Sequence, residues 1–548
     1  MQNRRQFMKT GVSWTALAGG LSIFGPGVFA AADARAETKP LIIAAPATPQ
    51  SLDTDFDASL ATQEVIGDLY GRLFAYDKIP DPDFPSVLRE DTASYPDLPG
   101  GLKLVGNLAE SWEFGADGTW LEVKLRQGVK SNWGNELTSG DVTYTWERRF
   151  ALGAIGAFFG RVMGLTAPDQ VVAVDKYTVR FALPKPEPLL ARVQIHLFAH
   201  IFDSVKCKQM ATADDPWARN FLATNSAGHG PYKIQNFTRG QQMVLEARDD
   251  YWGEPAPIKT IVYKEIPTSA SRASLLQGGA VDLATALQPL EIESLKRSPG
   301  VVIEAVTASQ MFFAIFNCTV EPFNKPDVRK AMNYAFPQQQ VLNSIYRGTA
   351  KPLTSVIPPI YLGHVSSDQY KYNLDKAKEL LAKAGFPTGF ESALAYSSGD
   401  PIQEQIAIIF QTSLRSIGIE LSLRKIPTST FYAELSANKH PITLFSDAPH
   451  IPDPAFGISL YFQSNSFLNY GEYKNDKIDE LLLEASSTSD NAVRLPLLEE
   501  AQKIILDESP WVLICSPQYT IARRANVAGV NYYTSNTLRL NEIQYSNS

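Results

Sequence analysis

Cysteine and histidine are scarce in this chain of 548 residues, which contains three cysteines and six histidines. Cys207, Cys318 and Cys515 are far apart and odd in number, so thiolates cannot build an iron–sulfur cluster or a closed metal cage. His196 and His200 have helical spacing, but no third histidine stands nearby to complete a metal site. We therefore expect neither a metal nor a cofactor.

Short catalytic motifs are also missing. The sequence contains no G-x-S-x-G, no G-x-x-x-x-G-K-[ST], no H-E-x-x-H and no G-x-G-x-x-G. Its 58 acidic residues supply carboxylate pairs by chance, so their number alone does not indicate glycosidase chemistry. These absences favour a binding protein over an enzyme, and a periplasmic hydrolase with paired carboxylates is the alternative.

Basic residues are not in excess. The net charge is −8, and removal of residues 1–36 makes it about −11, because that segment carries four basic residues and one acidic residue. A phosphate-binding surface needs clustered lysine and arginine, so nucleic acid is not an expected partner. About 510 residues then remain, which is long enough for two or three domains.

The N-terminal segment has the order of a removable export signal: basic residues, an apolar run, then small residues. The apolar run is too short and too interrupted to span a bilayer. Arg4 and Arg5, followed by Phe-Met-Lys, resemble the twin-arginine signal Arg-Arg-x-Phe-Leu-Lys. Cleavage is expected after Ala36, with Ala30 as the alternative. No cysteine follows at which a lipid could be attached, so we expect a soluble periplasmic protein.

Hydrophobic periodicity predicts α/β structure along the rest of the chain. A strand, "LIIAA", is followed by a polar loop and by a helix whose apolar positions run from Val65 to Phe74. Asp117-Gly118 and Arg239-Gly240 each lie between alternating segments and predict hairpin turns. Beyond residue 305, strands and helices alternate, which predicts a parallel sheet.

Several motifs in order resemble family 5 of the extracellular solute-binding proteins, which deliver ligands to ABC importers. Leu-Ala-Glu-Ser-Trp begins at Leu108, and Lys-Leu-Arg-x-Gly-Val-Lys begins at Lys124. Gly-x-Gly-Pro-Tyr begins at Gly228, Asp-Val-Arg-x-Ala-x-x-Tyr-Ala at Asp327, and Lys-Ala-x-x-Leu-Leu-x-x-Ala-Gly at Lys376. "DKIDELLLEA" at residues 476–485 and "EAQKIILDESPWVLI" at residues 500–514 complete the match, which covers nearly all of the chain that follows the signal.

The resemblance implies a type II periplasmic binding protein fold: two lobes built from three domains, with a ligand cleft between them. Domain I would comprise residues 37–70, 206–305 and 511–548; domain II would be inserted at 71–205, and domain III would span 306–510. Such a protein closes on its ligand and passes it to a membrane permease. We expect a monomer that binds without catalysis.

The best candidate for ligand contact lies in "LFSDAPHIPDP", residues 444–454. The resemblance aligns Asp447 with an acid that grips the ligand's α-amino group in peptide-binding members, while Leu444 replaces that motif's tryptophan. The alternative is that Asp447 only caps a turn. Asp453 is expected to shape the loop. Further ligand-binding candidates are Asn469, Tyr470 and Asp57.

The identity of the ligand is open at this stage. A peptide or a peptide-like amine is the first hypothesis. Because the tryptophan is absent and "APHI" separates Asp447 from the Pro-Asp-Pro segment, the pocket wall differs from that of typical members. A glycoside, an opine-like compound or a metal chelate is therefore the second hypothesis.

The export signal generates a direct test. Changing Arg4 and Arg5 together to lysine keeps the charge but removes the planar guanidinium groups, so precursor should accumulate inside the cell. Fractionation and immunoblotting measure the outcome. Normal export of the double variant, combined with its loss when the general pathway for unfolded chains is blocked, would contradict the twin-arginine assignment.

Overall fold

The computed structural model describes residues 39–57, 59–92, 103–115, 117–153, 155–187, 190, 199–449 and 451–546. The predicted export signal and His196 lie outside these residues. Within the part that is described, no helix is both long enough and apolar enough to cross a membrane.

A seven-stranded mixed sheet gathers strands from both ends of the chain. Its central strand, Leu41–Ala45, is parallel to two neighbours, Thr260–Glu265 and Leu283–Ala284. The other pairings are antiparallel. In spatial order the strands are Tyr232–Thr238, Gln242–Ala247, Thr260–Glu265, Leu41–Ala45, Leu283–Ala284, Tyr519–Arg524 and Val301–Val306.

A six-stranded mixed sheet forms the second large layer. The strands, in spatial order, are Ala350–Pro352, Trp511–Pro517, Met311–Phe316, Ile442–Asp447, Glu391–Ser397 and Glu420–Ile426. The predicted parallel sheet holds for the last three strands only, and the prediction is wrong for the others, which pair antiparallel. All six residues of Met311–Phe316 are buried, because helices and loops cover both faces of this strand.

A four-stranded antiparallel sheet and three two-stranded sheets complete the strand content of the described chain. The four-stranded sheet has the order Ala109–Phe114, Trp120–Leu125, Thr178–Ala182 and Val171–Asp175. The two-stranded sheets pair Phe74–Tyr76 with Leu104–Gly106, Lys78–Pro80 with Leu88–Glu90, and Val527–Ala528 with Gln544–Tyr545. Asp117-Gly118 and Arg239-Gly240 lie at hairpin turns as predicted, with Gly118 at φ 69° and Gly240 at φ 74°.

Helices cover the faces of these sheets. In chain order they are Leu60–Leu69, Ser139–Leu152, Ile155–Val162, Ser204–Met210, Arg219–Leu222, Ser269–Gln277, Pro289–Leu295, Pro326–Tyr334, Gln338–Val341, Leu374–Lys383, Pro401–Arg415, Thr428–Ser436, Pro454–Phe462, Asp476–Ser486 and Asn491–Glu508. Short 3₁₀ turns occur at Pro168–Gln170 and Leu540–Glu542, and a π-helical turn at Leu342–Tyr346.

Two predictions about helix ends are wrong. The first helix ends at Leu69, before the predicted Phe74, because the chain turns into the short strand Phe74–Tyr76. Asn324 is not the cap of the next predicted helix: Lys325 holds that position and Pro326 is the first helical residue. Asn373 caps the helix Leu374–Lys383 as predicted, with its side chain accepting from the Lys376 N–H.

A buried ionic network joins the loop after the first strand to the helix Ser139–Leu152. Arg148 donates to Asp53 and Asp55, at 2.5 Å and 2.8 Å for the nearest atoms, and Arg149 donates to Asp55 at 3.0 Å. The four side chains are at most 2% exposed. Burial raises the pKa of Asp53, although the adjacent Arg148 opposes this shift. The two segments are therefore held together by charge as well as by packing.

Removal of one carboxylate should destabilise the protein, because the guanidinium groups stay buried. Asp55→Ala leaves two enclosed guanidinium groups short of a partner and should lower the free energy of unfolding by about 3 to 5 kcal/mol. Urea denaturation measures the change. The control is Asp368→Ala, which removes an exposed ion pair with Lys371 and should leave stability nearly unchanged. Equal effects of the two substitutions would contradict a stabilising role for the network.

Candidate functional site

The end of the strand Ile442–Asp447 carries a half-buried carboxylate. Asp447 is the last residue of this strand. One carboxylate oxygen accepts from the Ala448 N–H at 2.9 Å, and the other accepts from the Tyr461 hydroxyl at 2.8 Å. One oxygen thus bonds to the N–H of the next residue, while the second oxygen is oriented by a side chain from the helix Pro454–Phe462.

Aromatic side chains frame this carboxylate. Phe445 lies two residues earlier on the same face of the strand, and its ring centroid is 5.7 Å from that of Tyr470 and 6.1 Å from that of Tyr432. Tyr432 belongs to the helix Thr428–Ser436 and is 60% exposed. We call Asp447, Tyr461, Phe445, Tyr470 and Tyr432 the strand-end site. It combines one negative charge with several aromatic rings.

The electrostatics of the strand-end site keep its tyrosines protonated at neutral pH. Burial, followed by the negative charge of Asp447, raises the pKa of Tyr470 to about 12. The same two causes raise the pKa of Tyr432, and raise that of Tyr461 well above its usual value. The Tyr461 hydroxyl therefore remains a hydrogen-bond donor to Asp447 across the physiological pH range.

Packing beneath the strand-end site fixes the position of Tyr461. Its ring packs against Phe313 and Trp511, with centroid distances of 6.1 Å and 5.2 Å, and those two rings stack on each other at 3.6 Å. Tyr461 is only 2% exposed. Since the ring cannot turn without disturbing this stack, its hydroxyl holds the carboxylate of Asp447 in one orientation.

Hydrogen bonds connect the strand end to the C-terminal segment. Gln310 donates to the Ser446 hydroxyl at 2.8 Å and accepts from the Asn536 amide at 3.3 Å. Asn536 in turn accepts from the Tyr532 hydroxyl at 2.9 Å. The end of the strand Ile442–Asp447 is thus linked to the segment that follows Tyr519–Arg524, the last strand of the seven-stranded sheet in chain order.

Leu444 does not lie beside Asp447. Side chains alternate along a strand, so residues three apart point to opposite faces. Leu444 is fully buried in an apolar cluster with Phe316, Leu394 and Val512. The structure therefore places it in the core beneath the sheet and not in the strand-end site.

Asn469 and Tyr470, which are neighbours in sequence, have different surroundings. The Asn469 amide donates to the carbonyls of Gln463 and Tyr473, its oxygen accepts from the Tyr473 N–H, and the residue is 7% exposed. These bonds shape its loop. Tyr470 instead lies in the strand-end site beside Phe445.

Asp57 organises the loop before the first helix. Its carboxylate accepts from the N–H groups of Gln50, Ser51 and Ser59 and from the Thr62 hydroxyl. Burial opposes ionisation here, but these hydrogen bonds outweigh it and lower the pKa of Asp57. The structure does not bring Asp57 into the strand-end site.

Asp453 shapes the loop as predicted. It is fully buried, caps the helix Pro454–Phe462 by accepting from the Phe456 N–H, and pairs with Arg494 at 3.1 Å. This cap fixes the start of the helix that carries Tyr461. A single strand–loop–helix unit therefore sets the distance between Tyr461 and Asp447.

Sequence reasoning missed Tyr432, Phe445 and Tyr461 as neighbours of Asp447. The helix Pro454–Phe462 is buried on nearly every side, so its sequence shows no amphipathic stripe that would distinguish the direction of Tyr461. The alternation of the strand could have identified Phe445 as sharing the face of Asp447. Among the described residues, no group of three histidine, cysteine or acidic side chains has the geometry to hold a metal ion.

The two large mixed sheets and the polar site at a strand end define an α/β binding protein. The family model for bacterial extracellular solute-binding proteins, family 5, matches residues 103–469. The chain therefore belongs to family 5 of the bacterial extracellular solute-binding proteins, and its fold is that of the type II periplasmic binding proteins.

Relatives and solved structures agree with this assignment. The chain is 29% identical to the probable D,D-dipeptide-binding periplasmic protein DdpA of Escherichia coli K12, over 78% of this chain and 82% of the relative. It resembles the Helicobacter pylori periplasmic binding protein DppA in complex with the peptide STSA, with 25% identity, a TM-score of 0.76, and coverage of 93% and 98%. The agropinic acid complex of AgaA from A. tumefaciens R10 has 24% identity, a TM-score of 0.74, and coverage of 93% and 99%.

The lowered pKa of Asp57 predicts a pH-dependent contribution to stability. Asp57→Ala removes the acceptor for several loop N–H groups and should lower the melting temperature at pH 7. A carboxylate with a depressed folded-state pKa stabilises the protein above its unfolded-state pKa of about 4, so the difference should shrink as the pH falls below that value.

Differential scanning fluorimetry of the wild type and Asp57→Ala measures this difference in melting temperature. The measurements span about pH 3 to 8, a range that includes the usual pKa of a carboxyl group. The control is Asp249→Ala, since Asp249 is exposed and makes no hydrogen bond within the described residues. A difference that stays constant down to the lowest pH would contradict the interpretation.

Proposed function

We propose that this chain is the periplasmic receptor of an ABC importer, which captures a peptide or a peptide-like amine and delivers it to a membrane permease. It acts as a monomer and without catalysis. It reaches the periplasm through its twin-arginine signal, which is removed on export. The membership of family 5 and the relatives named for dipeptides support the class of ligand.

The observation that carries the proposal is the environment of Asp447. Its carboxylate lies at the end of a strand, half-buried, with the neighbouring tyrosines uncharged. A primary ammonium group pairs well with a carboxylate, and aromatic ring faces attract the same cation. The strand-end site therefore suits the α-amino group of a peptide better than it suits a neutral sugar.

Tyr461 acts as a positioning residue in this proposal. Because its hydroxyl donates to one oxygen of Asp447 and the Ala448 N–H donates to the other, the carboxylate is held in one orientation before any ligand arrives. Such preorganisation reduces the entropy lost on binding. Tyr432, on a separate helix and mostly exposed, is placed to cover the bound ammonium group.

Capture is completed by closure. A ligand that contacts both lobes stabilises the closed state by its additional contacts, and this differential affinity drives the change in conformation. The permease can then distinguish the loaded protein from the empty one by its shape.

An opine-like solute is the second candidate, since the AgaA complex with agropinic acid shares the fold.

Replacement of the carboxylate tests the amine site. Once native mass spectrometry of protein purified from its own periplasm has identified the ligand, Asp447→Asn should weaken binding by about thirtyfold or more, because a charge-assisted pair is lost. Isothermal titration calorimetry measures the affinity. Thermal melting without ligand should change little, because the carboxylate is only half-buried. The amide oxygen of the variant can accept from the Ala448 N–H, and its NH2 group can donate to the Tyr461 hydroxyl.

The matched control is Asp175→Asn, an exposed aspartate that also ends a strand and lies in the four-stranded sheet. The affinity of Asp175→Asn for the identified ligand should equal that of the wild type. Equal affinities of Asp447→Asn and the wild type would reject the amine site, and a large fall in the melting temperature of unliganded Asp447→Asn would show that turn capping dominates. A ligand that lacks an amine would favour the opine-like alternative.

A further inference from the structure

A buried glutamate lies on the first helix, away from the strand-end site. Glu64 belongs to the helix Leu60–Leu69 and is 2% exposed. Its Oε2 atom accepts a hydrogen bond from the Tyr263 hydroxyl. Tyr263 lies on Thr260–Glu265, a strand that pairs with the central strand of the seven-stranded sheet. The carboxyl group of Glu64 is therefore enclosed between the helix and this sheet.

No cation is paired with this carboxyl group. Glu64 makes no ion pair within the described residues. Arg272 is the positive charge that acts on Glu64, but its guanidinium donates to backbone carbonyls, those of Ile266, Pro267, Thr285 and Ala286. Because a buried charge without a partner is unfavourable, this environment favours the neutral form of the acid.

Two buried oxygen atoms at this place lack a hydrogen-bond partner. Neither Glu64 Oε1 nor the Thr285 hydroxyl oxygen has one within the described chain, although the two side chains are close enough to interact. Thr285 is 5% exposed, and its N–H donates to the carbonyl of Ala44 on the central strand. A proton on Oε1 would satisfy both atoms, because the acid O–H can donate to the hydroxyl oxygen.

The other titratable groups around Glu64 stay uncharged or face elsewhere. Burial, followed by the charge of an ionised Glu64, raises the pKa of Tyr263 and of Tyr519 well above the usual value. Neither phenol therefore ionises near neutral pH. Asp68, one turn further along the helix, accepts from two backbone N–H groups of the C-terminal segment. Proton exchange by Glu64 thus changes one charge in an otherwise fixed environment.

The position of Glu64 gives this charge a mechanical consequence. The strand Trp511–Pro517 belongs to the six-stranded sheet and Tyr519–Arg524 belongs to the seven-stranded sheet, with only Gln518 between them. Tyr519, which interacts electrostatically with Glu64, is the first residue after this direct connection between the two sheets. The first helix, the central sheet and the connecting strand therefore meet around one carboxyl group.

We propose that Glu64 is a pH-sensitive element of the fold: a neutral acid that donates to Thr285 and, on losing its proton, loosens the packing of the first helix beside the connecting strand. The neutral acid satisfies both unpartnered oxygen atoms, whereas the ionised form leaves a buried charge without an ion pair. This role is independent of the proposed importer function and of Asp447.

The direction of the pH dependence follows from proton linkage. Burial raises the pKa of Glu64 to about 7, although Arg272 and the hydrogen bonds from Tyr263 and Thr285 oppose this shift. In the unfolded chain the pKa of a glutamate is about 4.3. Between these two values the folded protein holds a proton that the unfolded chain has lost, so stability decreases as the pH rises through this window. Above it, the contribution of Glu64 no longer changes.

The substitution Glu64→Gln tests the proposal, because the amide keeps the shape, accepts from Tyr263, donates to Thr285 and does not titrate. Relative to this variant, the unfolding equilibrium constant of the wild type should rise by up to about tenfold per pH unit between about pH 5 and 7. Urea denaturation measures both proteins. The control is Glu480→Gln, an exposed glutamate whose removal should leave the pH profile of the wild type unchanged. A constant difference between wild type and Glu64→Gln across this range would overturn the proposal.

Hydrogen exchange on the unaltered protein provides a measurement that does not require the variant to fold. After correction for the intrinsic effect of pH on exchange, protection of Leu60–Leu69 and Tyr519–Arg524 should decrease between about pH 6 and 8. The helix Leu374–Lys383, which packs in a separate apolar cluster, is the internal reference and should keep its protection. Equal changes in all three segments, or no change in any of them, would show that Glu64 is not a local pH-sensitive element.

Discussion

Two consecutive arginines on one helix cannot both be buried unless carboxylates reach them, and the loop after the first strand supplies these. Asp53 and Asp55 meet Arg148 and Arg149 with almost no solvent access. This requirement binds the helix Ser139–Leu152 to the loop that follows the central strand of the seven-stranded sheet. The same loop continues through Asp57 into the first helix, Leu60–Leu69. A local charge requirement thus sets the positions of distant elements.

The position of the strand-end site is set by backbone hydrogen bonding between strands and not by buried charge. Asp447 lies opposite Met311 in the antiparallel pairing of Ile442–Asp447 with Met311–Phe316. The carboxylate faces outwards because its strand ends there, and Asp453 begins the helix that returns Tyr461 to it. Sheet register and one helix cap together fix the orientation of the Asp447 carboxylate.

Local signals in the sequence predicted local structure well. The hairpin turns at Gly118 and Gly240 and the cap at Asn373 could be recognised because each depends on a few neighbouring residues. Strand direction could not, because Met311–Phe316 is uniformly apolar and carries no period that distinguishes parallel from antiparallel pairing. Leu444 was aligned with a motif position and proved to be a core residue. The placement of Tyr461 depends on contacts that no single segment encodes.

The order of strands in the seven-stranded sheet has a consequence for the synthesis of the protein. Tyr519–Arg524 lies between Leu283–Ala284 and Val301–Val306, although more than 200 residues separate it from them in sequence. Translation must therefore proceed past residue 524 before this sheet can be completed. Until then the edges of the two neighbouring strands lack their final partner. Completion of the sheet thus waits for a strand that is synthesised long after its neighbours, and removal of Tyr519–Arg524 would leave an open sheet that favours aggregation.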